Sequence, residues 1–246
     1  MATEMEKKLE KVLKMLFRDI KIFKVGLDIM DEKRTILFVT SNPGKLREAK
    51  LALNPYGLNV ESYNDRKEFS EIQEIQSSEL RHVAKDKLRK AVSIAKNSSN
   101  KMGVMVEDSG FFIQELDGFP GVFSSYVYKT LGIEGILKAL SGITNREACF
   151  KCVIGIHLDD QELFFEGECK GRVSEKSLGT NGFGFDPIFI PSEGNGNTFG
   201  EMNSREKQKF SHRGKAIESL RAHLQDRIQS PTSNQRSESG IKEETW

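Results

Sequence analysis

The sequence contains little that would tie it to a disulfide framework, a membrane or a polyanionic partner. Its three cysteines are an odd number and no signal peptide precedes them, which favours a reducing cytoplasm over disulfide bonds. No apolar run approaches the length of a membrane span. Lysine and arginine number 37 and aspartate and glutamate 36, so the net charge of +1 gives no global reason to expect nucleic acid or membrane binding. We expect a soluble cytoplasmic protein whose anion binding is local.

The sequence also gives no support for a metal-binding cysteine pair or for a Walker phosphate loop. Cys149 and Cys152 have a metal-like spacing, but residues 148–156 read as a β-strand, in which residues three apart point to opposite faces. A shared metal or redox role is therefore not expected. The loop from Thr40 to Lys45 lacks the first glycine and the Lys-Ser/Thr ending of a Walker phosphate loop.

The 246 residues suit one large α/β domain with appendages. Residues 1–33 form an apolar stripe with a basic face, which predicts an amphipathic helix packed on the domain or at an oligomer contact. Met30 lies just ahead of the first strand and is a second candidate start codon. The domain itself spans residues 34–225, and the composition of residues 226–246 predicts a disordered tail.

Within the domain, residues 36–62 read as strand, helix and strand, which is a parallel β-α-β unit. A helix is expected over residues 79–96, followed by a short buried strand over 103–106 that ends in Glu107 and Asp108. Residues 148–158 and 162–173 predict an antiparallel hairpin, so the sheet is mixed.

Two predicted helix starts carry cations where the helix dipole disfavours them. Asn42 is a good N-cap and Pro43 suits the first helical position, yet Lys45 and Arg47 occupy the first turn, where acids are preferred. Residues 212–215 repeat this pattern. Both ends therefore predict a bound anion, and free backbone N–H groups at a helix start suit a phosphate.

The chain carries five short motifs in a fixed order: Thr40-Ser41-Asn42-Pro43-Gly44-Lys45, Val106-Glu107-Asp108-Ser109-Gly110, Gly118-Phe119-Pro120-Gly121, Phe183-Gly184-Phe185-Asp186-Pro187 and Ser211-His212-Arg213-Gly214-Lys215-Ala216. In order and spacing they resemble the inosine/xanthosine triphosphate pyrophosphatase family. The resemblance covers residues 36–224. It implies an α/β fold with a mixed elongated central sheet, two lobes around an active-site cleft, and a homodimer. The activity it implies is Mg²⁺-dependent hydrolysis of ITP, dITP or XTP to the monophosphate and pyrophosphate.

The resemblance also assigns the catalytic and metal residues. Asp108 becomes the residue that binds metal or activates the attacking water, and Glu74 the second metal carboxylate. The repeat over residues 71–76 permits a register three residues earlier, so Glu71 is the rival of Glu74. Glu107 is expected to face away from the site, since neighbours on a strand alternate.

The substrate contacts follow in the same way. Those implied for the triphosphate are Thr40, Asn42, Lys45, Lys87 and Lys207, and Ser41 and Ser109 are implied as further substrate contacts. Those implied for the base are Phe183, Gly184, Phe185, Asp186, His212 and Arg213. Either phenylalanine offers a stacking face to any purine, so selection of the 6-oxo edge is expected from Arg213 and the His212 backbone.

Two alternatives remain open at this point. The chain is either an active pyrophosphatase or an inactive nucleotide- or RNA-binding module that kept the phosphate cradle. A related septum-associated pyrophosphatase acting on modified pyrimidines is disfavoured by the Ser-His-Arg stretch.

Overall fold

The computed structural model of the chain describes residues 34–63, 69, 72–95 and 103–229. The helix expected over residues 1–33, Glu71 and the chain after residue 229 lie outside the described residues. No helix within the described part is long and apolar enough to cross a membrane.

The first part of the fold is the parallel unit that the sequence predicts. Strand β1 is Arg34–Phe38, helix α1 is Pro43–Leu53 and strand β2 is Leu58–Ser62, and β1 pairs in parallel with β2. Helix α1 begins where expected, because the Asn42 side chain accepts hydrogen bonds from the backbone N–H groups of Gly44 at 2.8 Å and Lys45 at 3.2 Å.

Helix α2 is Leu80–Ala95, and strand β3, Gly103–Ile113, is much longer than the sequence suggests. The parallel pairing of β1 with β3 stops at Met105. The sequence predicts that β3 itself ends soon after this residue. Strand β3 continues because its other neighbour, β5, pairs with it in antiparallel fashion from Val104 to Ile113. Glu107 and Asp108 therefore lie mid-strand, just beyond the carboxyl end of β1.

The remaining elements complete a mixed sheet of seven strands in the order β2-β1-β3-β5-β6-β7, with β4 paired to β3. They are β4 (Pro120–Gly121), α3 (Ser124–Thr130), α4 (Gly132–Ala139), β5 (Glu147–Leu158), β6 (Gln161–Val173), β7 (Phe189–Pro191), α5 (Ser204–Phe210) and α6 (His212–Gln229). The mixed sheet is confirmed. Helix α3 is new, since the sequence predicts a turn-rich loop over residues 111–125 and the next helix only from about residue 132. Helix α6 runs past the end expected near residue 224.

The cysteines behave as the strand assignment predicts. Cys152 is buried in the core beside Ile154 and Ile156, whereas Cys149, on β5 three residues earlier, is only half-buried. All three cysteines are free, and the described residues contain no cluster of three or more His, Cys, Asp or Glu side chains able to hold a metal ion.

Two large apolar clusters give the domain its two lobes. One packs β1 and β5 against α1 and α6 and includes Phe38, Leu53 and Leu220. The other surrounds Phe111 and Phe189. Strand β3 contributes Met105 to the first cluster and Phe111 to the second, so its polar residues 107–109 fall at the junction between the lobes.

Arg146 ties the second lobe together. This buried side chain donates hydrogen bonds from Nε to the Val173 carbonyl at 2.9 Å, from Nη1 to the Leu140 carbonyl at 3.2 Å and from Nη2 to the Ser174 carbonyl at 2.7 Å. It thus joins the end of α4 to the end of β6.

We expect Arg146→Met to lower the free energy of unfolding by about 2–4 kcal/mol, because it leaves buried carbonyl groups without a donor. Urea denaturation measures this change. The matched control is Arg205→Met on the exposed face of α5, which should stay within about 0.5 kcal/mol of the parent. Equal effects of the two substitutions would contradict the role given to Arg146.

Candidate active site

A cavity of about 390 Å³ lies at the junction of the lobes. The β1–α1 turn, β3, α2, α3, the loop before β7, α5 and the start of α6 all contribute to its walls. Every site residue expected from the sequence lines it: Thr40, Ser41, Asn42, Lys45, Glu74, Lys87, Asp108, Ser109, Phe183, Gly184, Phe185, Asp186, Lys207, His212 and Arg213. A larger cavity, of about 700 Å³, involves the outer face of β5 and β6 and is lined by none of these residues.

The phosphate end is built on the start of α1. Thr40 Oγ1 accepts a hydrogen bond from the Asn42 backbone N–H at 3.2 Å, which fixes the turn. The two cations of the first helical turn then differ: Lys45 Nζ lies 2.9 Å from Glu107 Oε2, whereas Arg47 is exposed and does not line the cavity. The positive charge of Lys45, for which the sequence predicts a bound anion, is thus partly balanced by the Glu107 carboxylate.

The adjacent carboxylates of β3 lie in different environments. Alternation along the strand directs Glu107 toward α1 and α6, while Asp108 lines the cavity with Glu74 and Lys87, which form an ion pair. Burial raises the pKa of Asp108 to about 6; Lys45 opposes the rise, and the charges of Glu107 and Glu74 add to it. Asp108 is thus a carboxylate poised to exchange a proton near neutral pH.

In and behind the cavity wall, six charged side chains form one alternating chain of contacts, of which only Glu48 and Glu107 do not line the cavity. Arg213 is its centre: Nη2 lies 3.2 Å from Glu107 Oε1, and Nη1 contacts Glu48 Oε2. Lys207 Nζ lies 2.9 Å from Glu48 Oε1 and 2.7 Å from Asp186 Oδ2. In order, the chain is Lys45, Glu107, Arg213, Glu48, Lys207 and Asp186.

These ionic contacts correct the expectation for Glu107 and add Glu48 to the residues of the site. Glu107 does point away from the cavity, as expected, but it is not merely a support of the fold, because it contacts two cations that line the cavity. Sequence reasoning missed Glu48. Its one local signal is its position three residues after Lys45 on α1, which places both on one helix face.

Burial decides the charge state of these groups. It opposes ionisation of Glu107, but the positive charges of Arg213 and Lys45 prevail and hold the pKa of Glu107 well below its usual value. Burial also opposes ionisation of Glu48, but the positive charges of Arg213 and Lys207 outweigh it, so the pKa of Glu48 is lowered. At Asp186 burial prevails over Lys207, and the pKa is raised. The pKa of Arg213 is raised by Glu107 and Glu48 in spite of burial, so its positive charge is permanent.

His212 is neutral in this setting. Burial and the nearby charge of Arg213 lower the pKa of its imidazole well below the usual value. The ring stacks on Phe150 with centroids 4.9 Å apart, and its buried Nδ1 has no hydrogen-bond partner among the described residues. Phe150 also lines the cavity and was not predicted from the sequence.

The two phenylalanines considered for stacking are not equivalent. Phe185 is 2% exposed, stacked on Phe111 at 5.3 Å and in edge contact with Tyr128 at 5.5 Å. Phe183 is half-buried and lies against Gly44, so close that a Cβ on Gly44 would sit 2.4 Å from its ring. The more open π-face therefore belongs to Phe183.

Comparison with known proteins agrees with this geometry. The model of the Ham1 family matches residues 36–223. The dITP/XTP pyrophosphatase of Pyrococcus horikoshii is 46% identical over 185 residues, covering 75% of this chain and 94% of that protein. The dITP/XTP pyrophosphatase of Methanopyrus kandleri is 45% identical over 186 residues, covering 74% and 92%.

Solved structures give the same result. A HAM1 protein from Coxiella burnetii superposes with a TM-score of 0.65 at 28% identity, covering 78% of this chain and 99% of its own. The dITP/XTP pyrophosphatase of Mycobacterium abscessus gives 0.56 at 32% identity, covering 76% and 98%. The chain therefore belongs to the Ham1 family.

Proposed function

We propose that this protein hydrolyses non-canonical purine nucleoside triphosphates, namely dITP, ITP and XTP, to the nucleoside monophosphate and pyrophosphate. The observation that carries the proposal is that one cavity is lined both by Asp108, Glu74 and two lysines, Lys45 and Lys87, and by aromatic rings and Arg213. A triphosphate needs the first set of groups and a purine the second. The names of the relatives, dITP/XTP pyrophosphatases, support the substrate class.

In the reaction, the oxygen of a water molecule attacks the α-phosphorus and the bond between that phosphorus and the bridging oxygen to the β-phosphorus breaks. Asp108 accepts the proton of the attacking water, a role for which a pKa of about 6 is suitable, because the group is ionised at neutral pH and remains basic. Pyrophosphate leaves with the bridging oxygen. Lys45 and Lys87, which line the cavity, bind the phosphate charge. The backbone N–H groups of Gly44 and Lys45, expected from the sequence to be free for phosphate, instead donate to the Asn42 side chain.

The carboxylates also fit Mg²⁺. Asp108 and Glu74 both line the cavity and offer hard oxygen ligands, and two protein carboxylates suit an ion that keeps several waters and phosphate oxygens among its ligands. When bound, Mg²⁺ would neutralise phosphate charge and lower the pKa of a coordinated water. Glu74 forms an ion pair with Lys87, so Lys87 would compete with the ion for this carboxylate.

Base selection rests on Arg213. Its guanidinium is buried, always charged and a hydrogen-bond donor only, so it suits a 6-oxo purine and leaves an unpaired donor opposite the amino group of adenine. Phe183 supplies the stacking face. Ser41, Ser109 and the backbone of Gly184 complete the contacts to the substrate along the cavity.

The alternative, an inactive nucleotide- or RNA-binding module, requires a cavity without catalytic groups. Asp108 is present, lines the cavity and has a pKa suited to proton transfer. We therefore favour the enzyme. We also assign it to the cytoplasm, in keeping with three free cysteines.

We expect the purified protein with Mg²⁺ to release pyrophosphate from ITP, dITP and XTP at least about tenfold faster, in kcat/KM, than from ATP, since a mismatched donor in a polar site costs about 1–3 kcal/mol.

Asp108→Asn should lower kcat by at least about 100-fold while leaving nucleotide binding measurable. Asp117→Asn, outside the cavity, is the control. Equal turnover of all nucleotides, or release of orthophosphate, would contradict the proposal.

The substitution Asp108→Asn should also stabilise the protein. Because the folded-state pKa of Asp108 is raised from 3.8 to about 6, the folded state holds a proton more tightly than the unfolded state, and stability falls as pH rises between these values. Asp108→Asn removes this cost, which is on the order of 1–3 kcal/mol at pH 7. Thermal melting without ligand should show a higher Tm at pH 7 and little gain near pH 4. A gain that is independent of pH would refute the explanation.

We also propose that the protein forms a homodimer through the surface around α3. Large apolar side chains are exposed there within a short stretch, among them Phe123 at 49%, Tyr126 at 70% and Leu131 at 55%. A cluster of this kind is typical of an interface rather than of scattered exposed residues. We expect a second copy of this chain to cover the apolar surface. This surface lies next to Tyr128 and Lys129, which line the cavity, and a permanently bound copy would shield it from solvent.

Tyr126→Glu should therefore shift the protein from dimer to monomer in size-exclusion chromatography with light scattering, because it places a charge inside an apolar interface. Tyr56→Glu is the control, since Tyr56 is 49% exposed but lies after α1, away from that stretch. A parent protein that is monomeric at micromolar concentration would exclude the dimer.

A further inference from the structure

Glu107 is a buried carboxylate that does not line the cavity but contacts two cations that do. Its side chain is 1% exposed; Oε2 lies 2.9 Å from Lys45 Nζ, and Oε1 lies 3.2 Å from Arg213 Nη2. Lys45 lies at the start of α1 and Arg213 at the start of α6. The proposed function assigns Lys45 to the phosphates and Arg213 to the base, so each oxygen of one carboxylate contacts one of these two cations.

We propose that Glu107 is a positioning residue that fixes Arg213 relative to Lys45 and thereby contributes to selection of the base. This inference rests on the proposed function, because it concerns recognition at the same site. A nucleoside triphosphate spans a set distance from its phosphates to its purine. A group that holds the two cations in register makes the base contact available only when the phosphates are correctly placed.

The contacts of the two cations explain the direction of the effect. Arg213 has two anchors, Glu107 on Nη2 and Glu48 on Nη1, while its Nε has no hydrogen-bond partner among the described residues. Without the charge of Glu107, the guanidinium keeps only the anchor on Nη1 and faces the positive charge of Lys45. Two like charges in a buried setting repel strongly, so Arg213 loses its orientation.

Lys45 responds differently. Its side chain is 16% exposed, and its Nζ also lies 3.5 Å from the Glu107 backbone carbonyl, a contact that does not depend on the side chain. Removing the neighbouring negative charge leaves the ammonium free for phosphate. The two ends of the site should therefore change in opposite directions, with weaker readout of the base and undiminished affinity for polyphosphate.

This pattern separates positioning from support of the fold. If Glu107 only held α1 and α6 on the sheet, its loss would weaken every ligand together. The variant Glu107→Gln keeps the size of the side chain, removes its charge and replaces one acceptor oxygen with an amide donor. Glu107→Asp keeps the charge on a shorter side chain.

The test uses isothermal titration calorimetry with inosine monophosphate and with inorganic tripolyphosphate, together with kcat/KM for ITP and ATP. In Glu107→Gln, the affinity for inosine monophosphate should fall at least about fivefold and that for tripolyphosphate should not fall. The preference for ITP over ATP should fall about tenfold. Glu107→Asp should keep more of the preference. Glu166→Gln, an exposed carboxylate paired with Arg81, is the matched control and should change nothing.

Two results would overturn the inference: an equal loss of affinity for both ligands in a folded variant, or an unchanged affinity for inosine monophosphate with an unchanged preference. Far-ultraviolet circular dichroism checks folding. If Glu107→Gln does not fold, Glu107→Asp takes its place: its shorter carboxylate should lower the affinity for inosine monophosphate by a smaller factor and leave that for tripolyphosphate unchanged, and an equal loss of both or no loss of either would overturn the inference. A parent protein without preference for ITP would contradict the proposed function instead, and the two affinities would still decide the role of Glu107.

Discussion

The buried guanidinium of Arg213 is the interaction on which the site depends. A charge that is 2% exposed is costly unless it is paired, and here the pairs come from two other elements, Glu107 on β3 and Glu48 on α1. The start of α6 can thus occupy only the position in which both carboxylates reach it. Because Glu48 also contacts Lys207 of α5, one buried charge fixes the relative positions of four elements that line the cavity. The base recognition that we propose for Arg213 would in this sense be built into the packing of the fold.

Strand alternation gives two neighbouring carboxylates separate tasks. Glu107 and Asp108 are adjacent on β3, yet the first is held ionised by two cations, whereas burial raises the pKa of the second to about 6. The antiparallel neighbour β5 makes this arrangement possible, since it keeps β3 extended after β1 has ended. A strand that ended at residue 106 would not hold the two side chains on opposite faces of the sheet.

Local signals in the sequence predicted local structure well. Asn42 and Pro43 define the start of α1, and the hairpin of β5 and β6 follows from alternation and its turn. The site was predicted as a set of residues because its motifs resemble a known family. Contacts between distant residues escaped prediction: Glu48 meets Arg213 across 165 positions, and no property of either local sequence indicates the pairing. Helix α3 was missed because its residues follow a turn-rich stretch with two glycines and a proline, which is typical of a loop.

The close approach of Phe183 to Gly44 joins the loop before β7 to the first turn of α1. A Cβ on Gly44 would lie 2.4 Å from the ring of Phe183, so this ring occupies the space that any larger residue would fill. The same ring lies 4.6 Å from Lys207 Nζ and 5.3 Å from Arg213 Cζ, both members of the buried chain of charges. Under the proposed function, a displacement of the start of α1 would therefore disturb the stacking ring and the cation that reads the base edge together. Phosphate affinity alone does not distinguish one purine from another, so we propose that discrimination depends on this packing of Arg213 with Phe183 and with its two carboxylates.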